Sequence, residues 1–107
     1  MITSYKNAKT VYTSGDSSGV SYGVSNGVEV VHLSIAPGDI IPSHALPFNV
    51  TFFVSSGTGA VTLGGEQEVT VERQSLVTAP AGVQRSWRNS ADDVLELVVM
   101  KHIGTNQ

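Results

Sequence analysis

The sequence contains no cysteine. Disulfides and thiolate chemistry are therefore excluded, although the compartment is not thereby fixed, since many exported proteins also lack cysteine. Basic residues are scarce: six Lys and Arg stand against nine Asp and Glu, a net charge of −3. Scattered as they are, they form no cationic footprint for nucleic acid or an anionic membrane, and neither partner is expected. No apolar run approaches the ~20 residues of a membrane-spanning helix, and the opening "MITSYKNAKT" lacks the apolar core of an export signal. The cytoplasm is the default expectation. Helical periodicity is missing too, because no long window repeats apolar residues at helical spacing and the strong helix formers never cluster. Phosphate-cradling glycine loops and G-x-S-x-G elbows are also absent.

What is present is punctuation, with 11 Gly and 4 Pro in 107 residues. Between the turn signals lie short segments rich in Val, Ile, Thr, Phe and Tyr, the pattern of an all-β protein. The length suits one domain over residues 1–107, large enough to bury a core. Strands are expected at 10–13, 20–24, 28–36, 39–42, 50–55, 59–63, 67–72, 75–79, 83–89 and 94–103. In "VTLGGEQEVTV", Gly64-Gly65 reads as a two-residue hairpin loop, so the strands near 61 and 70 should pair antiparallel. "GDSSG" at 15–19 looks like the nucleophile loop of serine proteases, but Ser17 has no base or orienting acid in reach of the pattern. It is read as a mobile polar loop, and the C-terminal "GTNQ", without anchors, as mobile too.

Two segments carry a family resemblance. In "PGDIIPSHALPFNVTFFVSSG" a glycine, Gly38, is followed after five residues by His44 and closes on Gly57; in "QSLVTAPAGVQRSWRNS", Pro80, Gly82 and Asn89 keep a second fixed spacing. The segments, about 38–57 and 74–89, resemble the two motifs of the cupin superfamily, which implies a small single-domain jelly roll, a double-stranded β-helix barrel of the RmlC-like type. Where the family carries metal ligands this chain departs: Leu46 stands for the second histidine, Val50 for the glutamate and Arg85 for the last histidine. Gln74 replaces the opening glycine of the second motif. Independently of the family, Pro37-Gly38 and Pro80-Ala81-Gly82 pair a fixed φ with a residue tolerant of positive φ, which suits barrel corners.

Alternation places the site. If His44 points inward, as the resemblance implies, period two puts Leu46, Val50, Phe52 and Val54 on the same inner face. Counting from Arg85 sends Trp87 inward and Gln84, Ser86 and Arg88 outward. The expected cavity holds one imidazole and one guanidinium on walls of Leu, Val, Phe and Trp. His44, Arg85, Trp87, Phe52, Leu46 and Val50 are the candidate ligand-binding residues, and His44 is the candidate acid/base.

A metal is not expected, nor any other cofactor. Transition ions in proteins take three or four protein donors, and one imidazole does not hold them. Arg85 also puts a fixed cation where the ion would sit, and like charges at roughly 4 Å repel by several kcal/mol in a partly desolvated site. His32 and His102, with Glu29 and Glu96 as helpers, leave a different metal site open, since their parity is unsettled. Arg85 itself needs a partner, either Glu29, Glu96 or water at the barrel mouth, or else the carboxylate or phosphate of a ligand stacked on Trp87 and Phe52.

Three function classes follow. The first is a barrel that binds a small organic ligand without metal, an anion being one candidate. The second is an enzyme, either a metal-dependent dioxygenase or isomerase with altered ligands or a metal-free isomerase or epimerase using His44. The third is a dimerisation module with a filled pocket. A homodimer is expected because "DVLELVVMKHI" and "VSYGVSNGVEVV" are apolar on both alternating faces, and the resemblance implies the same.

Overall fold

The computed structural model describes residues 2–104, so the expectation for 105–107 lies outside the described residues. Ten strands form, and no helix occurs among the described residues. They are β1 (Lys9–Ser14), β2 (Ser17–Ser25), β3 (Val28–Ile35), β4 (Ile40–His44) and β5 (Val50–Ser56), then β6 (Thr58–Leu63), β7 (Val69–Glu72), β8 (Leu76–Ala79), β9 (Arg85–Arg88) and β10 (Leu95–His102). All ten expected strands are found, with ends shifted by up to three residues. Among the described residues no helix is long and apolar enough to cross a membrane.

The strands pair antiparallel in a six-stranded sheet, β1-β2-β3-β10-β5-β8, and a four-stranded sheet, β4-β9-β6-β7. The core follows from alternation combined with register. In the larger sheet Val31, Val99, Phe52 and Val77 stand opposite one another in sequence across β3, β10, β5 and β8. Leu33, Leu97 and Val54 form the next row. The smaller sheet answers with Ile41, Trp87 and Val61. All ten of these side chains are buried, and fully burying each aliphatic one contributes about 1.5–3 kcal/mol, which is how two half-apolar sheets hold together.

The corners behave as their residues require: Gly38 and Gly82 adopt φ of 84° and 81°. Asn89 is fully buried and clamps the turn after β9. Its amide donates to the carbonyls of Ile35 at 2.9 Å and Asp93 at 2.8 Å, and its Oδ1 accepts from the Ala91 amide at 3.0 Å.

Two local expectations are corrected. The β6 and β7 strands do pair antiparallel, with Val61 opposite Val69, but the connection is wider than two residues because β7 begins at Val69. The Gly64 amide donates to the Gln84 carbonyl at 2.7 Å and Glu66 closes a turn on Leu63 at 3.1 Å, so the Gly64-Gly65 pair serves the loop rather than the ladder. Nor is 15–19 a mobile loop. Ser17 starts β2 and is 2% exposed. Its hydroxyl donates to Asp39 at 2.7 Å and accepts from the Ala36 amide at 2.9 Å, tying the segment to the β3–β4 corner.

Candidate functional site

A cavity of about 110 Å³ lies between the two sheets at one end of the sandwich. The smaller sheet contributes Ile41, His44, Arg85 and Trp87; the larger contributes Val11, Tyr12, Gly19, Val31, Leu33, Phe52, Val99 and Lys101. Among the described residues no aspartate or glutamate lines it.

His44 reaches this face through a bulge. Ile40 and Ile41 face Arg88 and Trp87, after which the register slips so that His44 faces Arg85. Strict alternation from the inward Ile41 would send His44 outward; the extra residue reverses that. Pro42, which has no N–H to give a ladder, sits inside the slip. The His44 ring is exposed at the cavity mouth, and its Nδ1 lies 3.2 Å from the Pro42 carbonyl. That oxygen can only accept, so the contact places a proton on Nδ1 and turns Nε2 outward from it.

Arg85 is the other polar element of the smaller sheet, and β9 alternation turns it and Trp87 inward while Arg88 points out and Ser86 is half-buried. Arg85 is 4% exposed. Among the described residues the ion pairs are His32 with Glu96 at 3.0 Å and Arg88 with Glu68 at 2.6 Å, so Arg85 has no carboxylate partner. Its side chain makes no hydrogen bond to a described residue; what it has is the Phe52 ring, whose centroid lies 5.6 Å from the guanidinium carbon. Burial pulls its pKa below the ordinary guanidinium value, while the group remains a cation at any physiological pH. Phe52 in turn packs on Trp87 with centroids 5.3 Å apart and planes tilted by 59°. The Trp87 Nε1 in the same wall is buried and lacks an acceptor among the described residues.

The candidates therefore divide. His44, Phe52, Arg85 and Trp87 come together on one cavity. Leu46 and Val50 do not line it: Val50 is fully buried in the core and Leu46 packs against that core, its carbonyl accepting from the Gly82 amide at 2.8 Å. Both face inward as the alternation expects, but they pack into the core beside the cavity rather than onto it. Neither acid expected beside Arg85 pairs with it. Glu96 is held by His32, and the Glu29 carboxylate takes the Ser21 hydroxyl at 2.7 Å.

His32 and His102 cannot join His44. His32 alternates with the inward Val31 and Leu33, and His102 with the inward Val99 and its neighbour Lys101, so both lie on the outer face. His102 Nε2 sits 3.1 Å from the Thr51 hydroxyl there. Among the described residues no three His, Cys, Asp or Glu side chains converge. The residues at this position do not fit a divalent transition ion: one mouth imidazole faces a buried cation.

Sequence reasoning missed Tyr12 and Lys101. Lys101 continues the inward series Leu95, Leu97, Val99 on β10, and that series was the available signal. Tyr12 is turned to the cavity by a register slip between Thr10 and Tyr12, which nothing in the local sequence announces.

This architecture, a ten-stranded antiparallel sandwich with a cavity between its sheets, is that of the double-stranded β-helix barrels. The cupin domain profile matches residues 31–101, well over half of the chain, and the chain belongs to the cupin family. The fold is similar to that of an uncharacterized conserved protein with a double-stranded β-helix domain from Klebsiella pneumoniae, with a TM-score of 0.78 and 22% identity over 90% of this chain and 84% of that one. An RmlC-like cupin family protein from Methanocaldococcus jannaschii matches with a TM-score of 0.67 and 23% identity over 72% and 71%. A protein from Thermotoga maritima described as a predicted oxalate decarboxylase matches with a TM-score of 0.80 and 15% identity over 94% and 97%. Likeness at these identities establishes the fold alone. No curated protein matches the chain.

Proposed function

We propose that this cupin binds a small organic anion in its barrel without a transition ion, with Arg85 as the anchor. One observation carries the reading: a guanidinium 4% exposed, with no carboxylate among the described residues to pair it. An unpaired buried cation costs several kcal/mol, and an anionic ligand offsets that cost with short, charge-assisted hydrogen bonds. Phe52 and Trp87 offer the ligand's body an aromatic wall, and His44 at the mouth orients it through Nε2. The open cavity speaks against the filled-pocket class.

The test is calorimetric titration with a panel of small carboxylates and phosphates. The reading expects binding that Arg85→Ala abolishes; if every detected affinity survives that substitution, the arginine is structural.

An enzyme is the second reading, favoured by one observation: the Pro42 contact occupies His44 Nδ1 and leaves Nε2 free at the cavity mouth as the candidate acid/base atom. A homodimer belongs to the same proposal. On the outer face of the six-stranded sheet Val20, Val98, Phe53 and Leu76 fall in one row with His32 among them, and Leu76 is 64% exposed. Light scattering at micromolar concentration should return twice the chain mass; a monomer overturns this part.

A further inference from the structure

We infer that the ligand carries two anionic groups, one held by Arg85 and the other by Lys101 from the opposite sheet. The inference rests on the anion-binding reading and specifies the class of anion. Two fixed cations line one cavity, one on β9 and one on β10, and among the described residues no carboxylate lines it. Lys101 has no ion-pair partner among the described residues. The nearest acid by register is Glu29, opposite Lys101 on β3; its carboxylate accepts from the Ser21 hydroxyl at 2.7 Å and forms no ion pair with Lys101.

A ligand with one charge leaves the second cation unmatched in a partly desolvated cavity, whereas a dianion bridging the sheets satisfies both. Size sets the rest. At about 110 Å³ the cavity is small for a ligand pocket, so the bridge is short. Val31, Val99 and Phe52 line the same cavity as the two cations, which suits a hydrocarbon link between the anionic ends. Tyr12 adds a phenol that can donate to either end. The class is a short aliphatic dianion of the dicarboxylate type.

The chain's one tryptophan is Trp87, in the cavity wall, so its fluorescence reports occupancy alongside calorimetry. Malonate and propionate serve as probes because they share a three-carbon skeleton and differ by one carboxylate. At low ionic strength malonate should bind about 10- to 100-fold more tightly than propionate, the worth of one further charge-assisted hydrogen bond. Lys101→Gln should remove that preference and leave propionate affinity within about twofold, as expected for a group that meets only the second charge. Lys101→Arg should keep the preference, which also shows that the position tolerates replacement. If Lys101→Gln retains the full preference for malonate while Arg85→Gln abolishes binding, the two-charge inference fails and the single-anion reading stands. If neither probe binds, or both bind equally to Arg85→Gln, the anion reading fails and this inference fails with it.

Discussion

Replacing Arg85 with methionine should stabilise the unliganded protein. The guanidinium is 4% exposed, makes no ion pair among the described residues, and touches the Phe52 ring at 5.6 Å. The ring contact returns about 1 kcal/mol, against a desolvation cost of several kcal/mol for the buried charge. Water entering the open cavity recovers part of that cost, so the net gain expected from an apolar side chain of similar length is about 1–2 kcal/mol. In a domain of this size each kcal/mol moves Tm by roughly 4–8 °C. Thermal unfolding followed by circular dichroism, at low salt and without added anion, is the assay. Adding malonate should then raise the wild-type Tm by mass action and leave the variant unmoved. A variant that melts several degrees below wild type would refute the reasoning, because Arg85 would then be holding the barrel together.

Other positions give sharper local tests. Gly57→Ala should cost about 2–4 kcal/mol in urea unfolding, because φ is +90° there and a Cβ would meet the Val94 carbonyl oxygen at 2.7 Å. Gln74 holds a left-handed φ of 67° where a glycine would be unstrained, so Gln74→Gly should stabilise by about 0.5–1 kcal/mol despite the greater freedom of the unfolded chain. Arg88, through its hydrogen bond and its charge, holds Glu68 below its ordinary pKa of 4.5. A lowered folded-state value means the stabilisation is present above pH 4.5 and is lost as pH falls through the folded value, so Glu68→Gln should flatten the stability profile in that acid window only. The pair is solvent-exposed, and salt should shrink the difference.

The sequence made the strands legible because their alternation is strong and their boundaries fall at Gly and Pro. It made half of the site legible for the same reason. Arg85 and Trp87 share a four-residue strand with no irregularity, and Phe52 sits between inward Val50 and Val54. Elsewhere alternation fixes only relative parity, and register decides which face is inner. Lys101 became a cavity residue once β10 paired with β3 and β5, and Tyr12 and His44 depend on slips that shift parity by one. Leu46 faces inward as expected but packs on the core outside the cavity, a distinction that alternation alone cannot draw. Ser17 failed as a loop residue because its anchor, Asp39, lies far along the chain.

An electron-density map of the cavity, taken on crystals of the purified protein grown with malonate and paired with elemental analysis of the same sample, tests the central claim most directly. The account predicts a carboxylate seated on the Arg85 guanidinium and no stoichiometric transition ion. An ion coordinated by the imidazole of His44 would contradict it.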